Sequence, residues 1–463
     1  MNIRNVGWSA LFSSAVLLTG CGGSGSNESN STSYLTYYNL SANTAVTKLY
    51  HEDTLRASVA YQGKSTRQSV EAGTKNVQLR VDESDDVTTT LYDEDLNLAQ
   101  DKRNYLISVG DLDGDNGDAP LLFTYNIINS NDLDDDKFEF NLMHLALKSA
   151  ATLTVDVIDK DSGELVDTLT AEYGKSVTKQ LDTDRYYFTV EDSSENLLYT
   201  SSGITFGSSQ FYFALVDTQL NGEDKLTMVF LPDSTSSVTE YKDPDLKSYF
   251  RVYNSAEAFD GNTLTLEGGA LENQKVEYPN IKADDLADSS FELEQGSYSL
   301  SLEGSNIVKA LYSFASGVDR TVVFYRDDEG NLDDVSFTNT SRPDTTNHQI
   351  TFVNLLNNQG DDEVDLYFVA PNANFATTAY RLTQRELGNV ARMAVPSNTY
   401  DIYVAVDDGD GAPKVVAQQL GVKFSSDESA GDKTGDWVLI AEPAQDTDTP
   451  DQGGVSTIRL FEM

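Results

Sequence analysis

Hydrophobic and polar residues alternate along most of the chain, in short runs broken by Gly, Asn and Asp clusters, as in Tyr186-Tyr-Phe-Thr-Val190 and Tyr400-Asp-Ile-Tyr-Val-Ala-Val406. A period of two sends successive side chains to opposite faces of a strand, and runs with the helical period are sparse. The pattern predicts an all-β protein. One opening segment recurs: Tyr34-Leu-Thr-Tyr-Tyr-Asn39, Glu139-Phe-Asn-Leu-Met-His144, Tyr249-Phe-Arg-Val-Tyr-Asn254 and Gln349-Ile-Thr-Phe-Val-Asn354. Its last residues, 39, 144, 254 and 354, lie 105, 110 and 100 positions apart. A repeat of about a hundred residues with many short strands has the size of an immunoglobulin-like sandwich.

Within each copy the same series of strands follows. A polar turn leads to a second strand, at Val46-Thr-Lys-Leu-Tyr50, Leu153-Thr-Val-Asp-Val-Ile158, Leu264-Thr-Leu266 and Val364-Asp-Leu-Tyr-Phe-Val369. A turn residue then opens an alternating strand, at Tyr186 to Val190, Gly296 to Leu302 and Asn398 to Val404; Gly73 to Val81 matches this more weakly. Each copy closes with a hairpin: Tyr105 to Val109 with Leu121 to Tyr125, Phe211 to Val216 with Leu226 to Leu231, Thr321 to Tyr325 with Val335 to Phe337, and Trp437 to Ala441 with Val455 to Phe461. The expected architecture is four tandem immunoglobulin-like β-sandwich domains, over residues 34–130, 138–232, 248–338 and 348–463, after a flexible lipidated N-terminus. The joining segments, Ile127 to Lys137, Pro232 to Ser248 and Thr338 to His348, are polar and short, which predicts a semi-rigid rod of sandwiches in place of beads on a loose string.

These motifs resemble the Ig-like repeats of exported bacterial proteins grouped as domain of unknown function 4397, in which an opening strand ends in Val-Asn before a turn and an aspartate-bearing second strand. Asn354 and Asp365 match this pattern, and Asn39 and Asn254 match in part. The second copy departs from it, with His144 in the place of the asparagine. The resemblance implies a sandwich fold over most of Tyr34 to Met463 and carries no catalytic residues.

The N-terminus reads as an export signal over residues 1–20, with Arg4 ahead of an apolar stretch from Val6 to Leu18. That stretch is well short of the ~20 residues of a membrane-spanning helix. Leu18-Thr-Gly-Cys21 resembles the lipobox of bacterial lipoproteins, which implies diacylglycerol on the Cys21 thiol; the competing reading is an ordinary export signal that happens to precede a cysteine. Cys21 is the one cysteine of 463 residues, so no intramolecular disulfide is available. Lipid chains contribute ~0.8 kcal/mol per buried methylene, enough for several of them to anchor the chain lastingly. Residues 22–33, Gly-Gly-Ser-Gly-Ser-Asn-Glu-Ser-Asn-Ser-Thr-Ser, form a polar tether. In family terms, Gly22 in place of an inner-membrane retention aspartate implies the bacterial outer membrane, with the protein lipid-anchored and facing the periplasm or the surface.

Charge narrows the partners. Against 32 basic residues stand 75 acidic ones, a formal net charge of −43 spread along the whole chain. Such a surface repels phosphate backbones and excludes nucleic acid. It attracts cations or basic partners, or serves as a solvated surface in a saline habitat.

The search for chemistry turns up little. His51, His144 and His348 lie far apart in sequence, and no HExxH, G-x-S-x-G or phosphate loop occurs. His144, on an apolar strand, is expected to bond to turn backbone as asparagine would. Asp111-Leu-Asp113-Gly-Asp115-Asn-Gly-Asp118 places carboxylates on alternate residues of a glycine-rich turn, and such oxygens can converge on one Ca²⁺. Asn116 and Leu122 depart from the EF-hand, and the equivalent loops Asp217 to Lys225, Asp327 to Asp334 and Asp446 to Gly454 are acidic too, which favours acidic hairpin turns. Asp407-Asp-Gly-Asp410 is a weaker second candidate. Calcium is thus the single candidate cofactor, and no cofactor is required. Two functional classes follow: a non-enzymatic spacer or interaction module of the envelope, meeting a protein or polysaccharide through loops or sheet edges, and a carbohydrate-binding or carbohydrate-degrading accessory protein with exposed tyrosines such as Tyr37, Tyr187 or Tyr380 stacked on sugar rings. A row of aromatics on a solvent face favours the second; burial between sheets favours the first.

Overall fold

The computed structural model describes residues 31–463 apart from 83–87, 113–117, 129–132, 135, 221–222, 236, 257–260, 272–273, 283–285, 287–289, 303–308, 341–346, 357–362, 407–412, 426–431 and 444–455. Cys21 and the expected export signal lie outside the described residues. The described chain is built of β-strands arranged in eight sheets, which fall in chain order into four sheet pairs. Each pair is a sandwich of immunoglobulin-like type with its own apolar centre.

All four pairs share one topology. One sheet runs in the order fourth, first, seventh, eighth strand, and the other in the order third, second, fifth, sixth. The first strands are Thr32–Leu40, Lys137–His144, Ser248–Asn254 and Asn347–Asn354, and the seventh are Lys102–Val109, Gln210–Leu220, Asp319–Arg326 and Trp437–Pro443. First and seventh pair in parallel every time, for example Tyr37 opposite Leu106 and Val353 opposite Ile440. The recurring opening segments, second strands, alternating strands and closing hairpins all appear where the alternation placed them. The tether ends slightly earlier than expected, because Thr32 already begins the first strand and Ser33 is buried, its hydroxyl donating to the Ala99 carbonyl at 2.8 Å.

The fifth strands explain why the first copy matched weakly. Tyr186, Tyr298 and Tyr400 each donate from the hydroxyl to the carbonyl four residues upstream, those of Asp182, Glu294 and Pro396, at 2.9, 2.9 and 3.1 Å. This tyrosine corner fixes the chain where it turns into the sandwich. In the first pair Lys75 stands in that place and reaches the Glu71 carboxylate, also four residues upstream, at 2.7 Å. The offset is kept while the chemistry changes.

The short joining segments predict a semi-rigid rod; the sandwiches pack laterally in two couples. The eighth strands (Leu121–Asn126, Glu223–Phe230, Leu332–Thr338 and Ser456–Glu462) run antiparallel to the seventh, and so carry the chain back to the end where it entered. Each sandwich therefore starts and finishes at one end, and the first and second, like the third and fourth, pack side by side. The first packs on the second through the outer faces of their first-and-seventh-strand sheets: Tyr105, Ile107 and Val109 meet Tyr212, Ala214 and Val216. The third and fourth repeat this with Tyr253, Val323 and Tyr325 against Val353, Val438 and Ile440. A strand covered on both faces has no polar side to show, which accounts for unbroken apolar runs such as Phe211-Tyr-Phe-Ala-Leu-Val216 and Trp437-Val-Leu-Ile-Ala441.

The segment after the second sandwich is not a plain linker. Thr239–Tyr241 adds a strand beside Glu223–Phe230. Asp233 in that segment pairs with Arg103 at 2.6 Å and accepts the Tyr105 hydroxyl at 2.8 Å, so it closes the seam from outside. Further on, Asp243 accepts the Thr200 backbone N–H at 2.8 Å, and the Lys242 ammonium donates to the Gly317 carbonyl at 2.7 Å. The second and third sandwiches are thus joined by an ordered strap.

Candidate functional site

The turn after each first strand is held by a side chain at the end of that strand. Asn39, Asn254 and Asn354 each accept, through Oδ1, the backbone N–H two residues on, at 3.3, 3.0 and 3.0 Å. His144 does the same with Nδ1, accepting from Ala146 N–H at 3.3 Å, while its Nε2 donates to the Ala150 carbonyl at 2.8 Å. Imidazole with an accepting Nδ1 and a donating Nε2 copies the amide oxygen and nitrogen of asparagine, as expected for this position. Burial holds the His144 pKa below its usual value, in keeping with a neutral ring. His348 is spent in a similar way, with Nδ1 2.8 Å from the Gly435 carbonyl and Nε2 3.0 Å from the Ser397 hydroxyl. His51 lies 3.4 Å from an Arg56 guanidinium nitrogen. The histidines stand in separate sandwiches.

Acidic turns also have structural employment. Asp192 Oδ1 accepts the N–H groups of Ser194 and Asn196 at 2.8 and 3.0 Å, and Asp327 Oδ1 those of Glu329 and Asn331 at 2.9 and 2.7 Å. A carboxylate that closes its own turn is a local hydrogen-bond device. The loop proposed for calcium begins in this manner: Asp118 N–H donates to the Asp111 carbonyl at 2.6 Å, and Asp111 N–H to Asp118 Oδ2 at 3.2 Å. Asp113 and Asp115 lie outside the described residues, as do Asp407 to Asp410. Among the described residues no three His, Cys, Asp or Glu side chains come together around one ion.

The tyrosines proposed for sugar stacking are mostly committed elsewhere. Tyr37 is fully buried, its hydroxyl 2.9 Å from that of Ser108, and burial pushes its pKa up to about 12. Tyr380 is half-buried and packs on the core of the fourth sandwich, and Tyr187 carries the Lys160 ammonium 5.0 Å above its ring. A different group occupies the outer face of the fourth sandwich: Tyr367 and Tyr403, directly opposed on neighbouring strands, both lie against Phe375, with ring centroids 4.9 and 5.0 Å away. The register of Val364 to Val369 against Tyr400 to Val406 held that signal, since Tyr367 and Tyr403 fall between core positions.

Between the first two sandwiches is a cleft of about 370 Å³. Its floor is apolar, made by Leu40 and Val109 from one sandwich and Leu145 and Val216 from the other. Its rim carries Asp111, Asp118, Asp217 and Asp224 against Lys148. The Lys148 ammonium is bound to Asp224 at 2.7 Å, and Asp217 accepts the Lys148 backbone N–H at 2.8 Å. Burial raises the Asp217 pKa above the usual carboxylate value. Gly110 lets the two sandwiches meet here: its φ is +63°, and a Cβ would overlap the Asp118 carboxylate and the Leu147 methyl. Sequence reasoning grouped Asp111 and Asp118 with their own loop; pairing of the sandwiches brings them beside Asp217 and Asp224.

No family model matches the sequence, and no curated protein is similar to it. Among solved structures the chain is similar to the Bacillus anthracis TIE protein at 8% identity and a TM-score of 0.16, covering 85% of this chain and 66% of that one. It is similar to BcpA, the major pilin subunit of Bacillus cereus, at 12% identity and a TM-score of 0.13, covering 66% of this chain and 99% of that one. The tip fimbrial protein Mfa3 from Porphyromonas gingivalis gives 8% identity, a TM-score of 0.13, and coverage of 71% and 100%. At such scores the overlap carries no argument about function, which is left to this chain's own residues.

Proposed function

We propose that this chain is an envelope lipoprotein, anchored in a bacterial outer membrane through lipid on Cys21, whose sandwiches act without catalysis as a spacer and interaction module. Leu18-Thr-Gly-Cys21 and the polar run after it support the anchor. The observation that carries the non-enzymatic reading is positive: the side chains best suited to chemistry are employed in structure, His144 and His348 through both ring nitrogens and Asp192 and Asp327 in their own turns. Binding then falls to clefts, loops and outer sheet faces.

Metabolic labelling with radioactive palmitate tests the anchor. Label is expected on the native chain and absent from Cys21→Ser, with the labelled protein in the outer-membrane fraction; an unlabelled native chain sinks the proposal. A second reading, carbohydrate binding, draws on the partly exposed Phe375 and Tyr403, packed over the buried Tyr367, because aromatic rings on a solvent face stack on the C–H faces of sugars. Retention on envelope polysaccharide that falls with Tyr403→Ala and Phe375→Ala supports it, and retention untouched by both refutes it.

A further inference from the structure

We infer that the cleft between the first two sandwiches receives a basic side chain, lysine or arginine, presented by a partner polypeptide; this rests on the reading of the chain as an interaction module. Two features have to be matched together. The floor of Leu40, Val109, Leu145 and Val216 offers apolar surface to a methylene stem, as basic side chains use when they keep their charged ends in water. Four carboxylates and one ammonium on the rim then leave an excess of negative charge around the charged end.

The arrangement selects an extended organic cation over a bare metal ion. Calcium takes six to eight oxygens at roughly 2.3–2.6 Å. The described carboxylates of this rim are spread around an apolar floor, and no three of them gather around a point. Asp217 is held by neutral donors, the Lys148 N–H at 2.8 Å and the Ser149 hydroxyl at 3.5 Å, so an arriving cation supplies a charge that these do not. Lys148 displays the binding mode from within, its ammonium 2.7 Å from Asp224. It is also a competitor, since a visiting ammonium has to share that carboxylate. Both sandwiches line the cleft, so occupancy ties them together.

The test is titration calorimetry of the full lipidated chain in detergent micelles with acetyl-Gly-Gly-Lys-Gly-Gly-amide, against the same peptide with norleucine for lysine and against calcium chloride. Saturable binding of the lysine peptide is expected, about tenfold weaker for norleucine and about fivefold weaker for Asp217→Asn. Lys148→Ala is expected to tighten binding about threefold by freeing Asp224, a gain that loss of structure does not produce. Asp161→Asn, on an exposed loop, serves as the control and leaves affinity unchanged. Equal affinity for the norleucine peptide, absence of binding, or displacement of the peptide by stoichiometric calcium overturns the inference. Palmitate labelling is read separately: a labelled chain that ignores the peptide loses this inference alone, and an unlabelled chain that binds it loses the anchor alone.

Discussion

Replacing Tyr253 by Phe tests whether the third and fourth sandwiches behave as one cooperative body. Tyr253 belongs to the third, is fully buried, and donates from its hydroxyl to Glu442 of the fourth at 2.8 Å. Glu442 is itself 1% exposed and receives the Ser255 hydroxyl and Arg459 Nε, each at 2.6 Å. The substitution keeps the ring against Phe461, 5.2 Å away, and removes one donor from a buried carboxylate. Hydrogen bonds to charged groups contribute roughly 1.5–3 kcal/mol; two remaining donors and a partly exposed Arg459 put the expected loss near 2 kcal/mol. With a urea slope of about 2 kcal/mol/M, the midpoint falls by about 1 M. The assay is built into the molecule, because the two tryptophans are Trp8, in the proposed export signal, and Trp437, in the fourth sandwich. Fluorescence of a chain lacking residues 1–20 thus reports on the fourth sandwich while the change is made in the third. A Trp437 transition that stays put in Tyr253→Phe refutes the coupling; Tyr186→Phe, a corner tyrosine of the second sandwich, is the control expected to leave it in place.

The other predictions concern turns and the first seam. His144→Ala strands the Ala146 N–H and is expected to cost about 2 kcal/mol in thermal or urea unfolding, whereas His144→Asn restores most of it; equal loss in both contradicts the asparagine-like role. Because burial lowers the His144 pKa, the folded chain binds the proton less readily than the unfolded one, so its contribution is present above a pH of about 6.5 and lost as pH falls below that. Urea titrations between about pH 7 and 5 are expected to show this slope in the native chain and a shallower one in His144→Asn. Gly110→Ala forces a left-handed backbone on alanine and pushes the first two sandwiches apart, at a cost of about 2 kcal/mol or more; a wild-type melting temperature rejects the close approach. Asp118→Ala is expected to lower the melting temperature equally with and without chelator, since its carboxylate closes a turn, and a shift seen in calcium alone argues for a bound ion.

Strand order, repeat and turn chemistry were legible because each is local. Asn39, His144, Asn254 and Asn354 announced the same turn through spacing alone, whereas the corner made by Tyr186, Tyr298 and Tyr400 emerged only with their hydroxyl contacts. Pairing of the sandwiches was missed, although the signal was present: the seventh strands lack a polar face, and a strand with one face in water does not read Trp437-Val-Leu-Ile-Ala441. The cleft was beyond reach for another reason. Asp118 and Asp217 are separated by a whole sandwich in sequence, and their closeness depends on which faces two sandwiches present to one another. Tyr37 misled the search because alternation places a tyrosine on a face without saying whether that face is covered.

The return of the eighth strand to its starting end has a consequence for how such a chain can grow. Adding one sandwich would leave a naked apolar sheet, because a partner of the kind that covers Tyr105 or Val323 would be lacking. Adding two as a matched couple would leave nothing bare. Gene duplication in this lineage is therefore expected to be tolerated in even steps, and a truncation that removes a single sandwich to yield aggregates where removal of a matched couple yields a shorter, soluble protein.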